Sequence, residues 1–251
     1  MRARCYTFLL LLLIAAPLCA AAERYIIPIW GMDVHGASGT YTGAIAMTNL
    51  GDADATVKVT KIVAIASHPC AFGPCAFEQW AVPPHLTRVI SDQGATVIFG
   101  GRVLDFGAVE IESDRPIEVA SEIFKGTWGH PLSWQSVEVA RDWITGPSMI
   151  PRGIPFDAAF RLYLINPNDF AIRFDYHSDY GKTGTATVAA NSIAVIELTS
   201  FLGAGGGAEV PTGTAFPLYI NAEFPYLAAS FTASGVVSSN VRIARPLTKP
   251  R

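Results

Sequence analysis

The chain has 251 residues, of which 50% are hydrophobic and 16% are charged, and its formal net charge is −3 at pH 7. This composition is apolar enough for a packed core and too poor in charge for an intrinsically disordered protein. The mild acidity and the scattered charges argue against a protein that binds nucleic acid or anionic lipid through a basic surface.

The N-terminal 22 residues have the three parts of a secretory signal peptide. Two arginines precede a continuous apolar run over residues 8–16, and three alanines follow at positions 20–22. The run is shorter than the roughly 20 apolar residues of a spanning helix, so we expect cleavage before Glu23 rather than a retained anchor. Lipidation of Cys19 is a weaker alternative, since a leucine precedes it. The sequence therefore predicts an exported protein, periplasmic or extracellular, with no membrane span after cleavage.

Residues 67–80 of the first half form a long loop with Cys70 and Cys75, the only cysteines beyond the signal peptide. An even number of cysteines in an oxidising compartment favours a disulfide, and the Gly-Pro pair between them lets the chain double back. We expect a Cys70–Cys75 disulfide that shapes the loop, because closing so small a ring contributes only about 2 kcal/mol. A metal site that includes His68 is the weaker alternative, since structural zinc needs four ligands.

Further along the first half, residues 117–123 alternate apolar and polar positions, as a half-buried strand does. Residues 125–135 follow, with Trp128, His130 and Trp134, and their glycines and proline predict a loop. Large aromatic side chains there can stack on a sugar or anchor a protein partner. The favoured alternative is that the two tryptophans fold back and cover one end of the sandwich or the junction with the second domain, near Trp143.

The second half repeats the first, and it opens near residue 144. Residues 172–177 alternate again, and Gly, Pro, Asn and Asp clusters separate the apolar runs. About seven short strands in about 110 residues is the scale of an immunoglobulin-like sandwich. The sequence therefore predicts an all-β fold of two tandem immunoglobulin-like antiparallel β-sandwich domains, residues 23–143 and 144–251, after a signal peptide at residues 1–22. Five segments recur in the same order: residues 27–28 with 150–151, 45–52 with 162–169, 57–59 with 172–174, 111–121 with 220–230, and 137–141 with 241–245.

The turns Asn49-Leu-Gly-Asp52 and Asn166-Pro-Asn-Asp169 resemble those of exported bacterial proteins with tandem immunoglobulin-like repeats. This resemblance covers both halves and implies a fold and a compartment rather than an activity.

No catalytic, nucleotide-binding or metal-binding motif is recognisable in the sequence. His177 lies beside Ser178 and Asp179, but it falls on the polar side of an alternating strand, and there is no Gly-x-Ser-x-Gly elbow. We therefore predict a non-enzymatic exported protein without a cofactor, used for interaction, adhesion or envelope structure, with a protein or a glycan as its partner. The alternative function is a pair of carbohydrate-binding modules that uses the Trp128/Trp134 loop.

Overall fold

The protein is all-β, and no helix occurs among the residues that the structure describes. The structure is a computed structural model, and it describes residues 22–30, 34–36, 39–63, 76–91, 107–127, 130–155, 160–178, 183–197, 215–232 and 241–247. The predicted signal peptide lies outside these residues, except for Ala22.

Eighteen strands make up the described chain. Nine belong to the first half: β1 Glu23–Trp30, β2 Val34–Gly36, β3 Gly39–Asn49, β4 Ala55–Val63, β5 Ala76–Val82, β6 Thr87–Ser91, β7 Gly107–Ser113, β8 Ile117–Thr127 and β9 His130–Val137. Nine belong to the second half: β10 Ser148–Pro155, β11 Phe160–Asn166, β12 Ile172–Ser178, β13 Thr183–Val188, β14 Ser192–Glu197, β15 Ala215–Asn221, β16 Leu227–Thr232, β17 Val241–Ile243 and β18 Arg245–Pro246.

Each half contributes two sheets with the same strand order. In the first half the smaller sheet runs β1-β7-β4-β5, and the strands β6, β3, β8 and β9 pair in that order. In the second half the smaller sheet runs β10-β15-β12-β13, with β18 added beside β10, and β14, β11, β16 and β17 pair in order. All of these pairings are antiparallel.

A nine-stranded sheet joins the two halves. It forms where β17 pairs with β9 in parallel at a single position, Val241 opposite Val137. The backbone N–H of Glu138 donates to the Val241 carbonyl (3.1 Å), and the Glu138 carboxylate accepts from the Ile243 N–H (3.0 Å). Hydrogen bonds of a glutamate side chain thus extend a junction with one paired position among the described residues.

Two asparagines at matching positions close the same turn in each half. Asn49, the fully buried last residue of β3, donates from Nδ2 to the carbonyls of Ala53 and Val82, both at 2.8 Å. Asn166, the fully buried last residue of β11, donates from Nδ2 to the carbonyls of Phe170 (2.7 Å) and Val188 (3.1 Å). These contacts tie the turn between the two sheets to the end of β5 or β13, so the repeated asparagine has a structural role in each half.

The alternation predicted for β8 and β12 is confirmed. In β12, Ile172, Phe174 and Tyr176 are buried. The residue after each of them, which is Arg173, Asp175 or His177, is exposed. Antiparallel strands with one face on the core have this period of two. One contiguous core joins residues of both halves.

The smaller sheet of the first half packs against the second half as well as against its own partner sheet. The strand β1 contacts β3 and β8 of its own half and also β16, and β4 contacts β14. Every residue of β11 from Leu162 to Asn166 is buried, and so is every residue of β16 from Leu227 to Phe231. Strands covered on both faces read as continuous apolar runs, which explains why these two do not alternate.

The connection between the halves is held on both sides. Ala140 and Ile26 exchange two backbone hydrogen bonds, at 2.8 and 2.9 Å, and Ile144 and Tyr226 exchange two more, both at 2.8 Å. The Arg141 guanidinium lies 3.8 Å from the centre of the Tyr25 ring. The boundary at residues 143–144 stays a prediction, and these contacts show that the two halves are in close contact there.

Candidate functional site

The exposed face of the second half's smaller sheet carries polar side chains on neighbouring strands. We call it the β12 face and define it by ten residues on five strands: Met149, Arg173, Asp175, His177, Thr183, Thr185, Thr187, Tyr219, Asn221 and Arg245.

The β12 face exists because β12 buries every second residue. Ile172, Phe174 and Tyr176 point into the core, so the residues between them point outward. The neighbouring β13 has threonines at every second position, and these three threonines are exposed. The two strands therefore present one continuous row of polar side chains each.

Strand register sets which side chains are neighbours on this face. His177 lies between Thr183 on one side and Tyr219 on the other, because both pair with it across the sheet. Asp175 likewise lies between Thr185 and Asn221. Directly opposite residues in an antiparallel pair have their Cβ atoms about 4.5–5.5 Å apart, so each of these rows is a contiguous surface.

An aromatic pair occupies one row of the face. The rings of His177 and Tyr219 are stacked, with their centroids 4.9 Å apart and an angle of 16° between their planes. His177 is exposed and Tyr219 is half-buried. The stack restrains both side chains while leaving the imidazole accessible to a ligand.

The formal charges on the face are balanced. Arg173 bonds Asp175 through both Nε and Nη2, each 3.1 Å from Oδ1, and both side chains are more than half exposed. Arg245 pairs with Glu138 through Nη2 and Oε1 at 2.8 Å. The positive groups of the β12 face are therefore neutralised in place.

A glycine lets β13 lie close against β12. A Cβ added to Gly184 would overlap the ring of Tyr176, which is buried beside it on the core side. Burial also raises the pKa of the Tyr176 hydroxyl. The threonine row therefore depends on a small residue between its members.

Some of the residues predicted from the sequence as contact sites lie outside the described residues. Cys70, Cys75 and Trp128 lie outside the described residues. His130 and Trp134 lie on β9, where their backbones pair with Thr127 and Phe124 of β8.

The prediction that residues 125–135 form a loop is wrong for most of that segment. β8 continues to Thr127 and β9 begins at His130, so the segment is the distal part of an antiparallel hairpin. The glycine and proline signals correspond to an irregularity in strand register between Lys125 and Gly126, where Gly126 pairs with Pro131. Glycine inside a strand marks a bulge as well as a loop.

The sequence neighbours His177 and Ser178 point to opposite faces. His177 is exposed on the β12 face, whereas Ser178 is buried in the core. Alternation in a strand separates adjacent side chains in this way, so these two do not form a hydrogen-bonded pair of the kind a hydrolase uses. Within the described part of the chain, no group of three His, Cys, Asp or Glu side chains is arranged to hold a metal ion.

Tyr219, Asn221 and the threonines of β13 were not predicted from the sequence as site residues. The threonines carried a usable signal, because Thr-x-Thr-x-Thr over residues 183–187 predicts one polar face of a strand. Tyr219 carried none, since its pairing with His177 joins residues that are far apart in the sequence.

Comparison of the chain with protein-family models, with curated proteins and with solved structures gave no match. Among the described residues, no helix has the length and apolar character needed to cross a membrane.

Proposed function

We propose that this chain is an exported, non-enzymatic protein of two tandem immunoglobulin-like units that serves in interaction, adhesion or envelope structure. The observation that carries the proposal is the β12 face, a charge-balanced polar surface on a sheet whose other side is core. Sheet surfaces of this kind suit the recognition of a partner, because a rigid scaffold holds the contacting side chains in place.

The immunoglobulin-like assignment is supported by the inner strands of each half. In an immunoglobulin sandwich, the second and fifth strands pair in one sheet, and the third and sixth pair in the other. If the short strand β2 is left out of the count, the second and fifth strands here are β3 and β6, which pair with each other. The third and sixth are β4 and β7, which also pair, and the fourth, β5, pairs with β4. The outer strands differ, since β1 lies beside β7 and β8 lies beside β3. We propose a variant sandwich in which the first and seventh strands, β1 and β8, have exchanged sheets and the fourth, β5, lies in the sheet of the third and sixth.

Export is supported by the position of the first strand. β1 begins at Glu23, so cleavage before that residue leaves the strand intact. The Glu23 carboxylate accepts from the Tyr25 hydroxyl (2.5 Å) and the Ile117 N–H (3.2 Å), and it lies 3.6 Å from Nη1 of Arg141. Burial acts in the opposite direction, but these hydrogen bonds and the arginine together lower the pKa of Glu23.

The test is to express the full chain in a bacterial host and to determine where the protein resides and what it contacts. We expect a mature protein that starts at Glu23 outside the cytoplasm, with Cys70 and Cys75 oxidised, as mass spectrometry reports. A photo-crosslinking side chain at Thr185 should capture an envelope component, and the same probe at Glu122 should not. An uncleaved cytoplasmic protein, or turnover of ester, glycoside or peptide substrates, would contradict the proposal.

A further inference from the structure

We infer that the β12 face binds a neutral glycan, with His177, Asp175 and Asn221 at the centre of the contact. This inference rests on the proposed interaction function and names the ligand class for the same surface. It assigns the ligand to strands of the second half rather than to the tryptophans of residues 125–135.

The hydrogen-bonding groups of the face match those of a polyhydroxylated ligand. Threonine hydroxyls and the Asn221 amide both donate and accept hydrogen bonds, and the Asp175 carboxylate can accept hydrogen bonds from more than one hydroxyl. All of these side chains are exposed. They lie in rows fixed by register, with Thr185, Asp175 and Asn221 side by side across three strands. A sugar presents hydroxyls of both characters and satisfies such a mixed surface.

The stacked pair of His177 and Tyr219 supplies the apolar part of the site. Aromatic side chains combine an apolar body with a polar tip, and they offer a surface on which the C–H face of a sugar ring can pack. The two rings already restrain each other at 4.9 Å. Binding therefore requires less loss of side-chain freedom than it would for two mobile aromatics.

The charge balance selects for a neutral ligand. Asp175 is bonded by Arg173, and Arg245 is bonded by Glu138. An acidic glycan would have to compete with Asp175 and Glu138 for the arginines, whereas a neutral glycan leaves both ion pairs in place. Complementary charge sets specificity more than affinity, so neutral polymers should be preferred over acidic ones.

The first half provides a matched control surface on the same molecule. Its larger sheet exposes Glu118, Ala120 and Glu122 on the outer face of β8. These residues are also on the exposed face of a strand, but they do not combine an aromatic pair with amide and hydroxyl groups. A substitution at Glu122 therefore tests the effect of altering an exposed strand without altering the proposed site.

The experiment measures retention of the full-length mature protein, residues 23–251, on immobilised polysaccharides. Neutral glucan, mannan and xylan are compared with acidic pectate and alginate. We expect retention on a neutral polymer that is weakened about tenfold by His177→Ala or Asn221→Ala, which corresponds to about 1.4 kcal/mol. Glu122→Ala should leave retention unchanged. Thr185→Arg, on an exposed position, blocks the face without removing any core contact.

Each other outcome overturns the inference. A preference for acidic polymers, or retention that survives Thr185→Arg, contradicts a neutral-glycan site on the β12 face. Failure to retain any polymer, together with capture of a protein by the probe at Thr185, overturns the glycan and leaves the interaction function standing. If neither a polymer nor a protein is captured, both proposals fail. Circular dichroism of each variant confirms that the sheet is intact.

Discussion

Asn49 and Asn166 each donate from one side-chain amide to a buried backbone carbonyl and to at least one part-buried carbonyl. Asn166 donates to Phe170, Val188 and Ala189 at 2.7–3.1 Å and accepts from the Asn168 N–H at 2.9 Å. Removing such an amide leaves these carbonyls without this partner, and each costs about 1–3 kcal/mol.

We therefore expect Asn49→Ala and Asn166→Ala each to lower the free energy of unfolding by about 2–4 kcal/mol, as urea denaturation would measure. Aspartate should not rescue either position, because a carboxylate cannot donate to a carbonyl. Thr48→Ala, on the neighbouring half-exposed position of β3, serves as the control and should have a much smaller effect. Equal effects of Asn49→Ala and Thr48→Ala would contradict the role given to the asparagine.

Three tyrosines make the fold sensitive to alkaline pH. Burial raises the pKa of Tyr25, Tyr163 and Tyr226 to about 12, above the ordinary value of about 10. The Tyr25 hydroxyl shares its one proton between the Glu23 carboxylate and the Ile117 carbonyl, and Tyr226 bonds Ser148 (2.6 Å) and the Gly146 carbonyl (2.8 Å). The protonated hydroxyls therefore stabilise the folded state between about pH 10 and about pH 12, where the tyrosines of an unfolded chain are ionised.

The stability from these tyrosines is fully present below pH 10 and is lost as pH rises through about 12. We expect tyrosinate absorbance to appear in two phases, with the second phase coinciding with loss of the circular dichroism signal. Tyr226→Phe should remove one tyrosine from the second phase. Ionisation of all tyrosines in a single step near pH 10, with the sheet signal unchanged, is the opposite result.

At the scale of the strand, β13 depends on the absence of a side chain at residue 184. The Tyr176 ring occupies the space that a Cβ would need. Gly184→Ala should therefore destabilise the protein by about 1–3 kcal/mol through overpacking, as thermal unfolding would report. Tyr176→Val should relieve most of this additional loss in the double variant. The same loss with and without Tyr176 would show that the ring is not the cause.

The matching strands β8 and β16 differ in a way that encodes the contact between the halves. Phe231 of β16 is fully buried, whereas Glu122 at the matching position of β8 is exposed. Similarly, Tyr163 of β11 is buried where β3 has Ala46. The strands β11 and β16 are apolar on the face that the first half's smaller sheet covers. The matching face of β3 and β8 is not covered by any described residue, and there β8 has a glutamate.

Phe231→Ala should lower the free energy of unfolding by about 3–5 kcal/mol, while Glu122→Ala at the matching position should change it by less than about 0.5 kcal/mol. The comparison uses urea denaturation of the two variants. Similar small effects of both substitutions would mean that β16 is not covered by the first half.

How far the sequence predicts these elements depends on the range of the interactions that form them. The alternation of residues 117–123 and 172–177 is local, so it correctly predicted the exposed side of β8 and β12. The hairpin at residues 125–135 was missed, because pairing across strands outweighs the turn signals of Gly126 and Pro131. The His177–Tyr219 stack and the cover over Phe231 arise from strands distant in sequence, and no local pattern marks them.

At the scale of the whole molecule, the two halves share a core and a sheet rather than meeting end to end. Within the smaller sheet of the first half, Glu110 lies on the strand β7 with its Oε1 2.8 Å from Nε of Arg24. Burial raises the pKa of Glu110, and the nearby Arg24 opposes that shift. Arg24 therefore offsets only part of the hydration that the Glu110 carboxylate loses on burial.

Hydrogen–deuterium exchange of the mature chain tests most directly the central claim that the two halves fold as one body with β11 and β16 enclosed. We predict that β1, β11 and β16 are the most protected strands and lose protection together as urea increases. The open strands β12 and β13 should exchange earlier than these three. If β11 and β16 exchange as readily as β13, or if the two halves lose protection at separate urea concentrations, the enclosed arrangement is wrong.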